Sequence, residues 1–155
     1  MSGIIGGAGA KSGIIGESFG RTNSPSFLCR PTSDVTNLTQ NSTYIINWNT
    51  VKFDTHNAIS GTTMTCPIAG VWNLCVNMSY HSPDYDYAYL YFHLSVAENL
   101  YAGMSQYNGN RTGNTLQATV KLAKGETCQV KNYISGGSGG TDIMSWSHFS
   151  GHLIG

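Results

Sequence analysis

The residues with the most familiar chemistry lie in two glycine-rich stretches. Gly136, Ser138 and Gly140 fit the G-x-S-x-G spacing of a nucleophile elbow. Such an elbow works because strand, turn and helix hold the serine above an oxyanion hole. Here Gly137 and Gly139 loosen the run and no helical pattern follows, so the loop would not hold that geometry. Gly9, Lys11 and Ser12 end like a phosphate-binding loop, but Ala10 stands where glycine is required and no hydrophobic strand precedes it. His148 and His152 share one face of a strand yet stand about 13 Å apart along it, too far to ligate one ion unaided. Asp84 and Asp86 flank a proline turn and Asp142 lies in another loop, without the D-x-[D/N]-x-[D/N]-G spacing of a calcium loop. Few acids leave few pairs for general acid–base work, and no catalytic residues are expected. Cys29, Cys66, Cys75 and Cys128 are widely spaced with no C-x-x-C pair, so two disulfides remain arithmetically open. Each cysteine sits in a strand-like apolar segment, which suits buried free thiols better.

The totals bound what could position such groups. A chain of 155 residues is about one domain long. Charged residues are only 10% of it, against a usual fraction of about 25%. With 19 glycines and nine tyrosines, this suits short strands, tight turns and a surface partly covered by other protein. The formal net charge is zero, so no basic field draws in phosphate backbones and nucleic acid is not an expected ligand. No apolar run is long enough for a membrane helix, and residues 1–11 lack the cationic start of a signal peptide. Sequons begin at Asn37, Asn41, Asn77 and Asn110, a number close to chance in a chain so rich in Asn, Ser and Thr.

Two unequal parts follow. Residues 1–24 carry Ser2-Gly3-Ile4-Ile5-Gly6, repeated as Ser12-Gly13-Ile14-Ile15-Gly16. Glycine-rich backbone cannot hold a helix or strand alone, yet a flexible linker would not carry paired isoleucines. The pattern reads as an extended anchoring arm whose Ile4, Ile5, Ile14 and Ile15 plug into a partner. Residues 25–155 read as β throughout. Tyr85, Tyr87, Tyr89, Tyr91 and His93 alternate with Ala88, Leu90, Phe92, Leu94 and Val96, which is strand periodicity. Leu116, Ala118, Val120 and Leu122 form a second alternating run, broken at Lys124-Gly125 and resumed over 127–130. Further strands are predicted at 27–30, 43–48, 62–66, 71–80 and 143–154, separated by turn residues. Many short strands at regular spacing mean a sandwich or barrel.

The order of motifs is specific. Gly61, Cys66, Pro67, Gly70, Val71 and Trp72 resemble the G-x-F-x-C-P-x-x-G-x-Y-x-F segment of C1q domains, globular heads related to tumour necrosis factor. Val51, Lys52, Phe53 and Asp54 are similar to that family's short Phe-Asp strand. Leu116 through Thr127 resembles its L-x-L-x-x-G-D-x-V hairpin, with Glu126 in place of Asp. Ser147, Phe149, Ser150, Gly151, Leu153 and Ile154 are similar to its terminal S-x-F-S-G-x-L-L strand. Trp72 replaces the usual Tyr, and no collagen stem precedes the head. The stretch from Ala8 to Gly16 resembles segments of tailed-phage structural proteins, on whose virions stand-alone heads of this kind occur.

The resemblance implies an all-β, C1q/TNF-like jelly-roll sandwich packed as a homotrimer around a threefold axis. On such an axis, copies of one histidine could converge on a metal or anion, though a hydrogen-bonded surface or interface histidine is the plainer expectation. The family sometimes holds calcium through loop oxygens; no cofactor is assigned here. A strand apolar or aromatic on both faces leaves none for water, so Tyr85, Tyr87, Tyr89, Tyr91 and His93 are expected to line the trimer contact. The alternatives are that the tyrosines cover the second sheet within one monomer, or that they stack on sugars. The function expected is that of a non-enzymatic phage virion protein, a trimeric capsid decoration (cement) protein anchored by its arm to capsid or tail proteins. The alternative is a tail-fibre or receptor-binding head, its loops at 108–113 and 136–140 touching a host surface glycan or protein. A soluble immune-type head ranks behind both, lacking a signal peptide and collagen stem. No membrane partner is expected.

Overall fold

The computed structural model describes residues 24–81, 84–95, 99–108, 111–136 and 140–154. Thirteen strands make it up: β1 (Ser26–Arg30), β2 (Val35–Leu38), β3 (Ser42–Ile45), β4 (Thr50–Asp54), β5 (Ile59–Ser60), β6 (Thr63–Thr65), β7 (Gly70–His81), β8 (Asp84–Leu94), β9 (Asn99–Asn108), β10 (Arg111–Leu122), β11 (Thr127–Ser135), β12 (Thr141–Ile143) and β13 (His148–Leu153). No helix occurs among the described residues. The first sheet runs β2-β12-β7-β13-β1-β4, with β10 on the far edge of β7. Because β12 and β13 take successive stretches of one edge of β7, the sheet divides there. The second sheet runs β5-β6-β11-β8-β9, and β3 continues the β6 edge along β11.

Alternation decides what each sheet buries. On β7 the inward set is Trp72, Leu74, Val76, Met78 and Tyr80, all buried. On β8 it is Ala88, Leu90, Phe92 and Leu94; on β10, Leu116, Val120 and Leu122; on β11, Cys128, Val130 and Ile134. Phe149 locks the layers together: its ring centroid lies 4.9 Å from Phe27 in its own sheet and 5.8 Å from Phe92 across the sandwich. Burying each such side chain is worth about 1.5–3 kcal/mol. Gly151 faces the same core, where an added Cβ would lie 2.6 Å from the Phe27 ring and 2.8 Å from Leu74. Only glycine fits there, which gives the terminal S-x-F-S-G segment a packing reason.

Turns carry their own logic. Gly125, at φ +88°, makes the hairpin between β10 and β11, and its N–H donates to the Cys66 carbonyl at 2.8 Å. Glu126 accepts from the Ala123 N–H at 2.7 Å, so the longer acid still caps this turn. Trp72 is fully buried, and its indole N–H donates to the Ile68 carbonyl at 3.1 Å.

Several sequence expectations change. The predicted strand 143–154 is two strands, β12 and β13, because the Ser147 N–H turns back to the Met144 carbonyl. The predicted strand 43–48 ends at Ile45, and Ile46 and Trp48 run on into the core without regular pairing. β9 has no counterpart among the predicted strands. The cysteines are free thiols, but only Cys29, Cys66 and Cys128 are buried. Cys75 is half-buried on the outer face of the first sheet, since it shares its parity with Asn73 and Asn77 rather than with the core set. The anchoring residues Ile4, Ile5, Ile14 and Ile15 lie outside the described residues.

Candidate functional site

Pairing of β8 with β11 brings the tyrosine stripe into a cluster that the stripe alone does not reveal. Tyr89 stands opposite Tyr133, and Tyr91 opposite Lys131. Since Ala88, Leu90, Phe92 and Leu94 of β8 fill the core, Tyr87, Tyr89, Tyr91 and His93 point out of the second sheet. Tyr87 and Tyr89 are 40% and 41% exposed, so they do not cover the sheet within one monomer. Their ring centroids are 5.3 Å apart in an edge-to-face arrangement. Tyr133 lies 6.3 Å from Tyr89, nearly parallel, and 6.2 Å from Tyr87. Three rings thus brace one another into a preordered platform, a geometry worth about 0.5–1.5 kcal/mol per pair beyond burial. Ile45 of β3, opposite Lys131, extends the apolar area and is 46% exposed. Tyr91 and His93 are half-buried farther along the same strand. Tyr85 joins β8 by backbone pairing with Tyr107, and its side chain is outside the described set. Tyr133 and Ile45 escape the sequence reading; the alternation of Gln129, Lys131 and Tyr133 against Cys128, Val130 and Ile134 is the signal that could have found the first.

The other chemistry-bearing residues do not converge. Gly136 follows β11 and Gly140 precedes β12, so the glycine loop links strand to strand rather than strand to helix; Ser138 lies outside the described residues. Asp86 sits in the second sheet. Asp142, in the first, accepts from the Asn37 N–H at 2.8 Å and lies 3.7 Å from His81. Among the described residues no group of three or more His, Cys, Asp or Glu side chains could hold a metal. His148 is half-buried and His152 exposed on the outer face of the first sheet. Burial pushes the Cys128 thiol up to about 12 from an ordinary 9.0. Burial, helped by the negative charge of Asp54, does the same for Cys29. Burial also raises Cys66. These thiols are held protonated, the reverse of what a nucleophilic cysteine needs.

Inside, Tyr80 donates from its hydroxyl to Asn132 Oδ1 at 2.8 Å, a polar pair joining the two sheets through the core. Asn132 is completely buried.

No protein-family model matches the chain, and no curated protein matches it significantly in sequence. Solved structures do match in fold. The globular domain of zebrafish complement 1qA protein is 15% identical, with a TM-score of 0.64, over 85% of this chain and 98% of that one. Murine APRIL at pH 8.0 is 8% identical, with a TM-score of 0.66, over 84% of this chain and 99% of that one. Eiger TNF from S. frugiperda is 13% identical, with a TM-score of 0.60, over 85% of this chain and 92% of that one. At such identities the likeness is one of architecture. By fold, then, the chain is an all-β jelly-roll sandwich of the C1q and tumour-necrosis-factor kind.

Proposed function

We propose that this chain is a non-enzymatic phage virion protein that works as a homotrimer, most closely a capsid decoration protein anchored by its N-terminal arm. The observation that carries the assembly part is the braced, exposed platform of Tyr87, Tyr89 and Tyr133. Aromatic side chains with hydroxyl tips are what protein interfaces enrich, and a monomer gains nothing by leaving them in water. In this reading Tyr85, Tyr91 and His93 continue the contact between copies. The low charge of the chain and the repeated Gly-Ile-Ile-Gly of its arm support burial against a large protein lattice. The experiment is deletion of residues 1–20 in the phage. Incorporation into the virion should be lost while the head remains trimeric; unchanged incorporation sinks the anchoring role.

A second reading has its own observation. Rings braced at this spacing also offer flat faces to a sugar, as a receptor-binding head on a tail fibre would require. Under that reading soluble protein competes with adsorption to host cells; no competition at saturating protein removes it.

A further inference from the structure

One end of the first sheet gathers side chains that the assembly reading leaves unused. Met78 and Tyr80 of β7 are buried, so Ser79 and His81 face outward. Gly113 and Arg111 of β10 stand directly opposite them and share that face. Asp142 of β12 pairs with His81 from the other side, between the buried Thr141 and Ile143. Its carboxylate lies 3.7 Å from the His81 ring and accepts the Asn37 N–H at 2.8 Å.

After β12 the chain turns against Ser79. The Met144 N–H donates to the Ser79 carbonyl and the Ser79 N–H to Ser147 Oγ, each at 2.9 Å. The Ser145 N–H adds a bond to Asp34 at 2.6 Å. This pinned turn sets out Trp146, which is 48% exposed. The Arg111 guanidinium lies over the indole, 5.6 Å from its centre, although β10 and β12 flank β7 on opposite sides. Ser79 and Gly113, small residues on that face, leave the two side chains room to meet.

An indole half open to water, with a cation over it, still has aromatic surface to offer a ligand. Beside it stand a guanidinium, an imidazole and a carboxylate, planar groups that donate and accept hydrogen bonds. A pyranose ring has the matching parts: an apolar C–H face for the indole and hydroxyls around its edge for the planar groups. A protein hot spot built on Trp and Arg needs neighbours that exclude water, whereas here the neighbours are Ser79, Gly113, Ser145 and Asn37. Asp142 and Asp34, the latter within electrostatic reach of His81, offset the two basic groups. An acidic sugar would therefore find no surplus of positive charge.

We propose that Trp146, Arg111, His81 and Asp142 form a binding site for one neutral sugar ring. The site deepens the receptor-binding reading, on which only its role at a host surface rests, and lies on the opposite face from the tyrosines. Its position suits that role. Ser24, where residues 1–23 join the sandwich, bonds to Leu153, which pairs with Trp72 at the far end of β7. His81 is nine residues farther along that strand, about 30 Å away, so a head held by its arm would present the cluster outward.

The test is an NMR titration of the full-length, isotope-labelled chain with glucuronate and the methyl glycosides of glucose, galactose, mannose and N-acetylglucosamine. Trp48 and Trp72 are buried, so of the three indoles Trp146 alone should respond. At least one neutral glycoside should move its Nε1–H signal and the amides of Arg111, His81 and Asp142 saturably, with a Kd of about 1 mM. Trp146→Ala should weaken that binding about tenfold. Asp142→Asn, which keeps an acceptor for the Asn37 N–H, should weaken it about fivefold, and Tyr89→Ala should leave it unchanged. No saturable shift at Trp146 with any neutral glycoside, or unchanged affinity in Trp146→Ala, overturns the site. Shifts gathered on Tyr87, Tyr89 and Tyr133 overturn it in favour of the platform, and tightest binding by glucuronate overturns the neutral-sugar assignment. Failure to compete for host adsorption, with the titration intact, removes the receptor role and leaves the sugar site standing.

Discussion

The two sheets share one core and end in opposite outer faces. Outside the first sheet, β7, β10 and β13 show Asn73, Cys75, Asn77, Thr115, Gln117, Thr119 and Ser150, small and mostly polar. Outside the second, β8 and β11 show Tyr87, Tyr89, Tyr91 and Tyr133. Inward, both carry ordinary aliphatic and aromatic residues. Strand alternation, which settles the fold, thus leaves the outward half of each strand free for function. Along β7, β10 and β13 the outward side chains are ones that water solvates well, although Val51 and Phe53 stand exposed in β4 at that sheet's edge. The other face carries rings that gain from a partner.

A charge placed on each face puts that contrast under the greatest strain. Tyr89→Asp should weaken self-association more than about a hundredfold, since an unpaired carboxylate desolvated at a contact costs several kcal/mol. Thr119→Asp, on the polar face, should leave the mass in solution unchanged. Sedimentation velocity on both variants decides; equal behaviour would mean that the two faces are equivalent in assembly. A smaller effect attacks what the faces share. Gly151→Ala forces a methyl against Phe27 and Leu74 and should cost about 3 kcal/mol in chemical unfolding. Next comes the polar link between the sheets. Tyr80→Phe leaves Asn132 Oδ1 without its hydroxyl donor and should cost about 1–3 kcal/mol.

Thiol chemistry separates inside from outside without perturbing the fold. A maleimide should label Cys75 in the native protein, and Cys29, Cys66 and Cys128 only after unfolding. The folded state holds Cys29 and Cys128 protonated up to about 12, whereas the unfolded chain loses those protons near 9.0. Stability is therefore intact below 9.0 and falls as pH rises toward 12. Denaturant midpoints across that range check the slope, and a flat profile would contradict the burial of these two thiols.

Much of the fold can be read from residue alternation, and the reasons for the failures are physical. β7, β8, β10 and β11 are long and strictly alternating, so the order of their residues is enough to mark their inward faces. β9 hides because Ala102 and Gly103 carry little of the bulk that marks a strand, although Leu100 and Ala102 pair with Phe92 and Leu90. The break between β12 and β13 hides because Met144 and Trp146 make the turn look apolar. Asn132 could not be placed inward, since its partner Tyr80 is 52 residues away. The tyrosine stripe is legible, whereas its third ring comes from another strand. The bulge at Lys52, between β1 and β4, is a matter of register, which a single sequence does not display.

Whether the aromatic face joins copies of the chain is decided by light scattering on the purified full-length protein over a range of concentrations. A constant trimer mass is expected, which Tyr87→Asp or Tyr89→Asp reduces to that of a monomer. A clean monomer at every concentration would contradict it, leaving the sandwich standing and its aromatic face open for a ligand.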